Sequence, residues 1–143
     1  MAVDTQIDLS RDWVTYIDTN RAMVELLERF CGGFTAGDAA AVTAVCDMSA
    51  GLTIVTSEEP ILRGAQEFLA FLDRYAHGSI RYAWRWDHHE VVSHGDVAWL
   101  LATGIETAIN EGVEVSHPYR MTVVAVRVGD RWVLAQAHGS SPH

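Results

Sequence analysis

The chain of 143 residues has the size of one ordinary domain, and 49% hydrophobic residues, with five Trp among them, supply enough apolar volume for a compact core. Its 10 cationic side chains, all Arg, stand against 19 Asp and Glu, and the net charge of -9 with no basic run argues against nucleic acid or anionic membranes as partners. No apolar run approaches the roughly 20 residues that a membrane span needs, and the start of the chain lacks a signal pattern, so we expect a cytoplasmic protein.

The first half of the chain predicts helices around one short strand. After a loose lead-in at residues 1–9, an apolar stripe at three-to-four spacing predicts a helix over 10–35. A second, Ala-rich helix is expected over 39–49, a strand over 52–57, and a third helix over 64–77. The residues that define these helices are the caps Ser10 and Asp38, the stripe Trp13, Ile17, Met23, Leu27, Phe30 and Phe34, and the terminating Gly37 and Gly78.

The second half of the chain reads as strands throughout. Strand-like segments cover residues 80–95, 97–109, 116–128 and 130–140, and Gly-Asp pairs mark two of the turns between them. Three helices followed by an antiparallel meander predict an α+β fold with the helices on one face of the sheet. Such a layer leaves a cavity at its open end, where we expect a small-molecule ligand.

A series of short motifs marks these elements: Gly37-Asp38, Arg63-Gly64, Trp84-x-Trp86, Gly95-Asp96-Val97-Ala98-Trp99, Tyr119-Arg120-x-Thr122 and Gly129-Asp130-x-Trp132-x5-His138-x-Ser140. In this order they resemble the SnoaL-like branch of the nuclear transport factor 2-like superfamily, and the whole chain, 1–143, is expected to be one such domain. The resemblance implies a cone of three N-terminal helices packed on a curved, mainly antiparallel sheet, with a deep pocket and usually a homodimer. It does not imply one function, because the fold hosts isomerases, cyclases, hydrolases, carbonic anhydrases and binding proteins.

The last strand carries the strongest candidate site. Gln136, His138 and Ser140 stand at spacing two, so an amide, an imidazole and a hydroxyl share one face of the strand. We expect them to line the pocket, with His138 as the catalytic acid–base residue and the other two orienting the ligand. The alternative is a core His whose ring nitrogens are satisfied by backbone carbonyls.

The preceding strand adds a cation to this site. Arg120 and Thr122 share a face, and pairing with the last strand would bring Arg120 near His138. An Arg in a sheet needs negative charge, which either the ligand or a carboxylate at Asp87 or Glu106 would supply. The expected ligand-binding set is completed by Trp84, Trp86 and Tyr119, of which the two Trp are more simply core aromatics.

No metal or other cofactor is expected. His88 and His89 are adjacent on a strand, so they point to opposite faces and cannot easily chelate one ion. Cys31 and Cys46 are expected on helices as reduced thiols, since they form no metal or redox spacing. His117 precedes a Pro and is expected in a loop.

The resemblance leaves three functions open. The first is a cofactor-free cyclase, isomerase or lyase acting on a flat, enolisable molecule in a mostly apolar pocket. The second is a metal-free iota-class carbonic anhydrase, whose closing strand resembles the terminal His-x-Ser here. The third is a non-catalytic ligand-binding or dimeric assembly domain. The catalytic trio of ketosteroid isomerases is not expected, because its three places fall near Phe30, Ile54 and Thr122, which lack the required groups.

Overall fold

The computed structural model describes the backbone of residues 9–58 and 61–142, and the side chains of those residues from 18 onward. The elements in chain order are α1 (Leu9–Ala36), α2 (Ala39–Thr43), β1 (Thr53–Val55), β2 (Leu62–Arg63), α3 (Gly64–His77), β3 (Ile80–His94), β4 (Val97–Asn110), β5 (Val113–Val128) and β6 (Arg131–Ser140). The predicted lead-in lies outside the described residues, apart from Leu9, where α1 begins. The side chains of Ser10, Trp13 and Ile17, which the sequence places in the first helix, also lie outside the described part.

Helix α1 buries the part of the predicted apolar stripe whose side chains are described. The helix ends at Ala36, and Gly37 follows with a φ of 66°, a left-handed conformation that favours glycine. Gly33 lies inside α1 where α2 packs against it. A side chain would not fit at this position, because a Cβ atom at Gly33 would lie 2.6 Å from Cγ2 of Val42. The buried members of the stripe are Met23, Leu27, Phe30 and Phe34.

Helix α2 starts where the sequence predicts and ends earlier. The Asp38 side chain accepts a hydrogen bond of 3.1 Å from the Ala41 amide and caps the helix. The expected continuation to residue 49 is wrong, because the chain leaves the helix to join β6. Val45 O accepts from Leu134 N, and Asp47 N donates to Leu134 O, both at 2.8 Å.

Six strands form one curved sheet in the order β2-β1-β6-β5-β4-β3. Only β1 and β6 pair in parallel among these strands, so the expectation of a mainly antiparallel sheet is confirmed. The register skips Asp87 in β3 and Ala135 in β6. Such bulges bend a strand and change which of its residues face the core.

The helices pack on one face of the sheet, here called the inner face. On β4, Ala98, Leu100 and Ala102 are buried on this face, whereas Trp99 points to the other side and is 44% exposed. The opposite side, here called the outer face, is defined by Trp99, Thr103, Arg120, Thr122 and His138. None of the described helices is long and apolar enough to cross a bilayer.

Candidate functional site

A cavity of about 540 Å³ opens between the helices and the inner face of the sheet. This volume is in the range that binds small organic ligands. Most of its wall is apolar and aromatic, with two carboxylates, Glu58 and Glu106, and one guanidinium, Arg74. The aromatic side chains of the wall include Phe34, Tyr75, Tyr82, Trp84 and Tyr119.

Three rings of the cavity wall form an offset stack. The Tyr75 and Tyr82 rings are 6.3 Å apart and tilted by 17°, and the Tyr82 and Trp84 rings are 6.2 Å apart and tilted by 25°. The Tyr75 hydroxyl is fixed, because it donates to Phe34 O at 2.6 Å and accepts from Tyr82 N at 3.0 Å. A stack of anchored rings favours a flat ligand that continues the stack.

Glu106 is a buried carboxylate in this wall, and both of its oxygens are held. The Trp84 indole donates to Oε2 at 2.8 Å, and His117 Nε2 lies 3.1 Å from Oε1. The Glu106 side chain is 7% exposed, whereas that of His117 is 37% exposed. Burial raises the pKa of Glu106, against the lowering effect of the Trp84 hydrogen bond and the His117 ring.

The register of three neighbouring strands produces this arrangement. Glu106 is opposite Trp84 of β3 on one side and opposite His117 of β5 on the other, so the three side chains form a row across the inner face. His117 therefore lies in a strand, and the expected loop is wrong. Pro118 has no backbone N–H group to donate to a neighbouring strand. It is tolerated next to His117 because β6 pairs with β5 only from Arg120 onward.

Tyr119 brings a hydroxyl to the same region of the cavity. Its ring meets the His117 ring edge-on at 6.1 Å. Burial and the nearby Glu106 charge raise the pKa of Tyr119 to about 12, against the lowering effect of a side-chain hydrogen bond with Ser57. A phenol with a raised pKa keeps its proton at neutral pH and can donate it in a hydrogen bond. Tyr119 is thus a hydrogen-bond donor close to a buried carboxylate.

The structure brings the predicted polar residues together, but on the outer face. Thr122 is opposite His138, and Arg120 is opposite Ser140, whose hydroxyl accepts from the Arg120 Nε at 3.3 Å. Gln136 and His138 are exposed, and the β6 residues that line the cavity are the alternate ones, Ala137 and Gly139. The expectation that Gln136, His138, Ser140, Arg120 and Thr122 line the cavity is corrected accordingly; their role in binding stays a prediction.

The expected partners of Arg120 are also corrected. Asp87 instead contacts Arg85, at 3.2 Å, and Glu106 lies on the other face with His117 and Trp84. Of the expected aromatic residues, Trp84 and Tyr119 line the cavity, while Trp86 packs against the core beside it. Phe30 and Ile54, which stand near the places of a ketosteroid isomerase trio, do line the cavity, and Thr122 does not.

The sequence analysis missed Glu106 and His117 as site residues. A signal was present for the first, because Glu106 continues the alternation of the buried residues Ala98, Leu100 and Ala102 along β4. An acidic side chain at an inward position of an apolar strand is costly unless it has partners. His117 carries no such signal, since its position depends on the pairing of β4 with β5.

His88, Cys31 and Cys46 are not among the residues that line the cavity. No group of three or more His, Cys, Asp or Glu side chains among the described residues is arranged to hold a metal ion. His88 contacts Glu90 at 3.1 Å at the surface. Both cysteines are free and buried, and burial raises the pKa of each to about 12, so they are poor nucleophiles at neutral pH.

The fold and the cavity define a class: α+β cones with a pocket between helices and a curved sheet. The sequence matches the SnoaL-like domain family over residues 24–143, and the chain belongs to this family, as the resemblance implies. A search of curated proteins gives no significant match.

Solved structures with the same fold are numerous and distant in sequence. A candidate dehydratase of the nuclear transport factor 2-like family from Streptomyces avermitilis is 20% identical, with 88% of this chain and 99% of that chain covered and a TM-score of 0.78. A candidate scytalone dehydratase from Novosphingobium aromaticivorans is 8% identical over 90% of this chain and 87% of that chain, with a TM-score of 0.78. A nuclear transport factor 2-like protein from Salmonella enterica is 14% identical over 91% and 94%, with a TM-score of 0.75.

Proposed function

We propose that this protein is a cofactor-independent enzyme that moves a proton next to a carbonyl group of a flat organic molecule, as a cyclase, isomerase or lyase. The observation that carries the proposal is the buried Glu106 carboxylate in the wall of an aromatic cavity of about 540 Å³. A carboxylate whose pKa is raised by burial is a stronger base than one in water, and proton abstraction needs such a base.

In the proposed reaction, Glu106 takes a proton from the carbon beside the carbonyl group. The electron pair of that C–H bond forms a C=C double bond to the carbonyl carbon, and the π electron pair of the C=O bond moves to the oxygen, which becomes an enolate oxygen. Tyr119 donates a hydrogen bond to this oxygen, where negative charge develops. Return of the proton to another carbon completes an isomerisation, and departure of a β-hydroxyl group with that proton as water completes a dehydration.

His117 is the proposed connection between this base and solvent. Its ring touches Glu106 at 3.1 Å and is partly exposed, whereas the carboxylate is buried. An imidazole has two ring nitrogens that can each hold a proton, so it can pass a proton between Glu106 and water. The chemistry then requires no metal and no organic cofactor.

Two further observations favour an organic substrate over bicarbonate. The cavity is large and mostly apolar, with seven aromatic side chains in its lining, whereas a bicarbonate site needs only a few polar groups. His138 and Ser140, on which the carbonic anhydrase alternative rests, face away from the cavity. Two structural neighbours are named as candidate dehydratases, and loss of water from a β-hydroxy ketone begins with the proton abstraction proposed here.

We also propose that the outer face joins two copies of the chain. Val92 and Trp99 are paired in register there and are 49% and 44% exposed. A surface Trp beside apolar neighbours is typical of an interface, and the polar Arg120, Ser140 and His138 would lie within it. In this proposal Glu106, and not His138, is the acid–base residue, and His138 lies in the interface between the two copies of the chain.

Proton exchange into a simple ketone tests the proposed function. The probe is 2-tetralone, a flat, enolisable bicyclic ketone, dissolved in D2O with the protein. Faster loss of its α-proton NMR signals than in buffer alone is the expected result. Binding of the enol analogue 2-naphthol without any acceleration would support the non-catalytic ligand-binding alternative instead.

A further inference from the structure

Gly139 lies under the Tyr119 ring at the cavity floor. A Cβ atom at Gly139 would lie 2.7 Å from Cζ and 2.8 Å from Cε2 of Tyr119, and closer still to its hydroxyl oxygen. Carbon atoms in contact keep separations of about 3.5–4.0 Å, so no side chain fits at residue 139 while the ring stays in place. Gly139 is not among the described glycines with positive φ, and the constraint is therefore steric rather than conformational.

The bare backbone of Gly139 lets Tyr119 reach across a whole strand. Tyr119 belongs to β5, its ring passes over β6 at Gly139, and its hydroxyl meets Ser57, which follows β1 on the far side of β6. The ring thus lies over the Gly139 backbone and lines the cavity. With a side chain at residue 139, the ring would have to tilt upward into the cavity.

We propose that Gly139 is the residue that sets the depth of the cavity and the position of the Tyr119 hydroxyl. It restricts the site to flat ligands that lie over the Tyr119 ring with an oxygen acceptor at that hydroxyl. The part concerning the hydroxyl rests on the proposed function, whereas the part concerning cavity depth does not.

The steric part is tested without any ligand by a double-mutant cycle on stability. Gly139→Ala is expected to lower the urea midpoint of unfolding in the wild-type chain. Tyr119→Leu removes Oη, Cζ and Cε2, the atoms that a new Cβ would meet. In the Tyr119→Leu background, Gly139→Ala is expected to leave the midpoint nearly unchanged. An equal loss in both backgrounds would overturn the proposal, because the effect would not pass through Tyr119.

The functional part is tested by 2-naphthol affinity, followed as quenching of tryptophan fluorescence at a temperature where all variants are folded. Gly139→Ala is expected to weaken binding about tenfold or more, since overpacking of this size is enough to change affinity by that factor. The matched control is Gly32→Ala, because a Cβ at Gly32 meets no atom within 4 Å, and its affinity is expected to equal that of the wild type.

The outcomes separate this inference from the proposed function. Wild-type affinity in the folded Gly139→Ala variant would overturn the inference. Loss of 2-naphthol binding together with rescue of stability in the Tyr119→Leu background would support it, even if 2-tetralone shows no proton exchange. If Gly139→Ala does not fold alone but folds with Tyr119→Leu, that rescue is itself the supporting result.

Discussion

His117 Nε2 lies 3.1 Å from Glu106 Oε1, and this contact joins the wall of the cavity to a side chain that water reaches. Glu106 is buried, whereas 37% of the His117 side chain is exposed. A base placed in this way can exchange its proton with solvent while a ligand fills the cavity.

Glu106→Gln is expected to stabilise the protein increasingly as pH rises. Burial raises the pKa of Glu106 above its ordinary 4.5, so its contribution to stability is full below that pH and is lost as pH rises through the higher, folded-state value. The amide of the variant does not ionise and has no such contribution to lose. Urea unfolding at several pH values measures the difference, which is expected to grow as pH rises from 4.5 to neutral. Parallel stability curves for the two proteins would contradict a raised pKa.

His117→Gln is expected to shift the pH dependence of proton exchange. The His117 ring lowers the pKa of Glu106 by its charge and its hydrogen bond, so its removal raises that pKa further. Because the base must be ionised, the exchange rate rises with pH through the pKa of Glu106, and this rise is expected at higher pH in the variant. NMR exchange rates of 2-tetralone across pH give the comparison, and an unshifted profile would exclude the pair from the reaction.

Tyr119→Phe is expected to slow exchange by about 10²–10³-fold, the usual cost of losing one donor to a developing oxyanion. The ring remains, so 2-naphthol should still bind. In the wild type, the absorbance of tyrosinate should include a group that titrates at about 12, and the variant should lack it. Unchanged exchange in the variant would remove Tyr119 from the proposed reaction.

Trp99→Glu is expected to convert a dimer to a monomer, because it places a charge in the centre of the proposed interface. Light scattering after size exclusion gives the mass. Leu69→Glu on α3 is the matched control, since Leu69 is 49% exposed and lies away from the outer face, and it should not change the mass. A wild-type protein that is already a monomer at high concentration would contradict the proposed dimer.

The sequence predicts the elements better than it predicts the site, for a physical reason. Alternation along β6 shows that Gln136 and His138 share one face, but it does not show which face the helices cover. The inward residues are Ala137 and Gly139, whose small size leaves room for the Tyr119 ring. In the same way, Glu106 gains Trp84 and His117 only through the register of three strands. The residues next to Glu106 along β4 do not identify these partners, because the partners lie on two other strands.

Exchange of 2-tetralone protons in D2O with matched Glu106→Gln and His138→Ala variants tests the central claim most directly. The account predicts that Glu106→Gln loses about 10²–10⁴-fold of the acceleration, as expected for removal of a general base, while remaining folded. His138→Ala, on the outer face, should change the rate by no more than about twofold. Full exchange in Glu106→Gln, or loss of exchange in His138→Ala with its fold and assembly intact, would contradict the account.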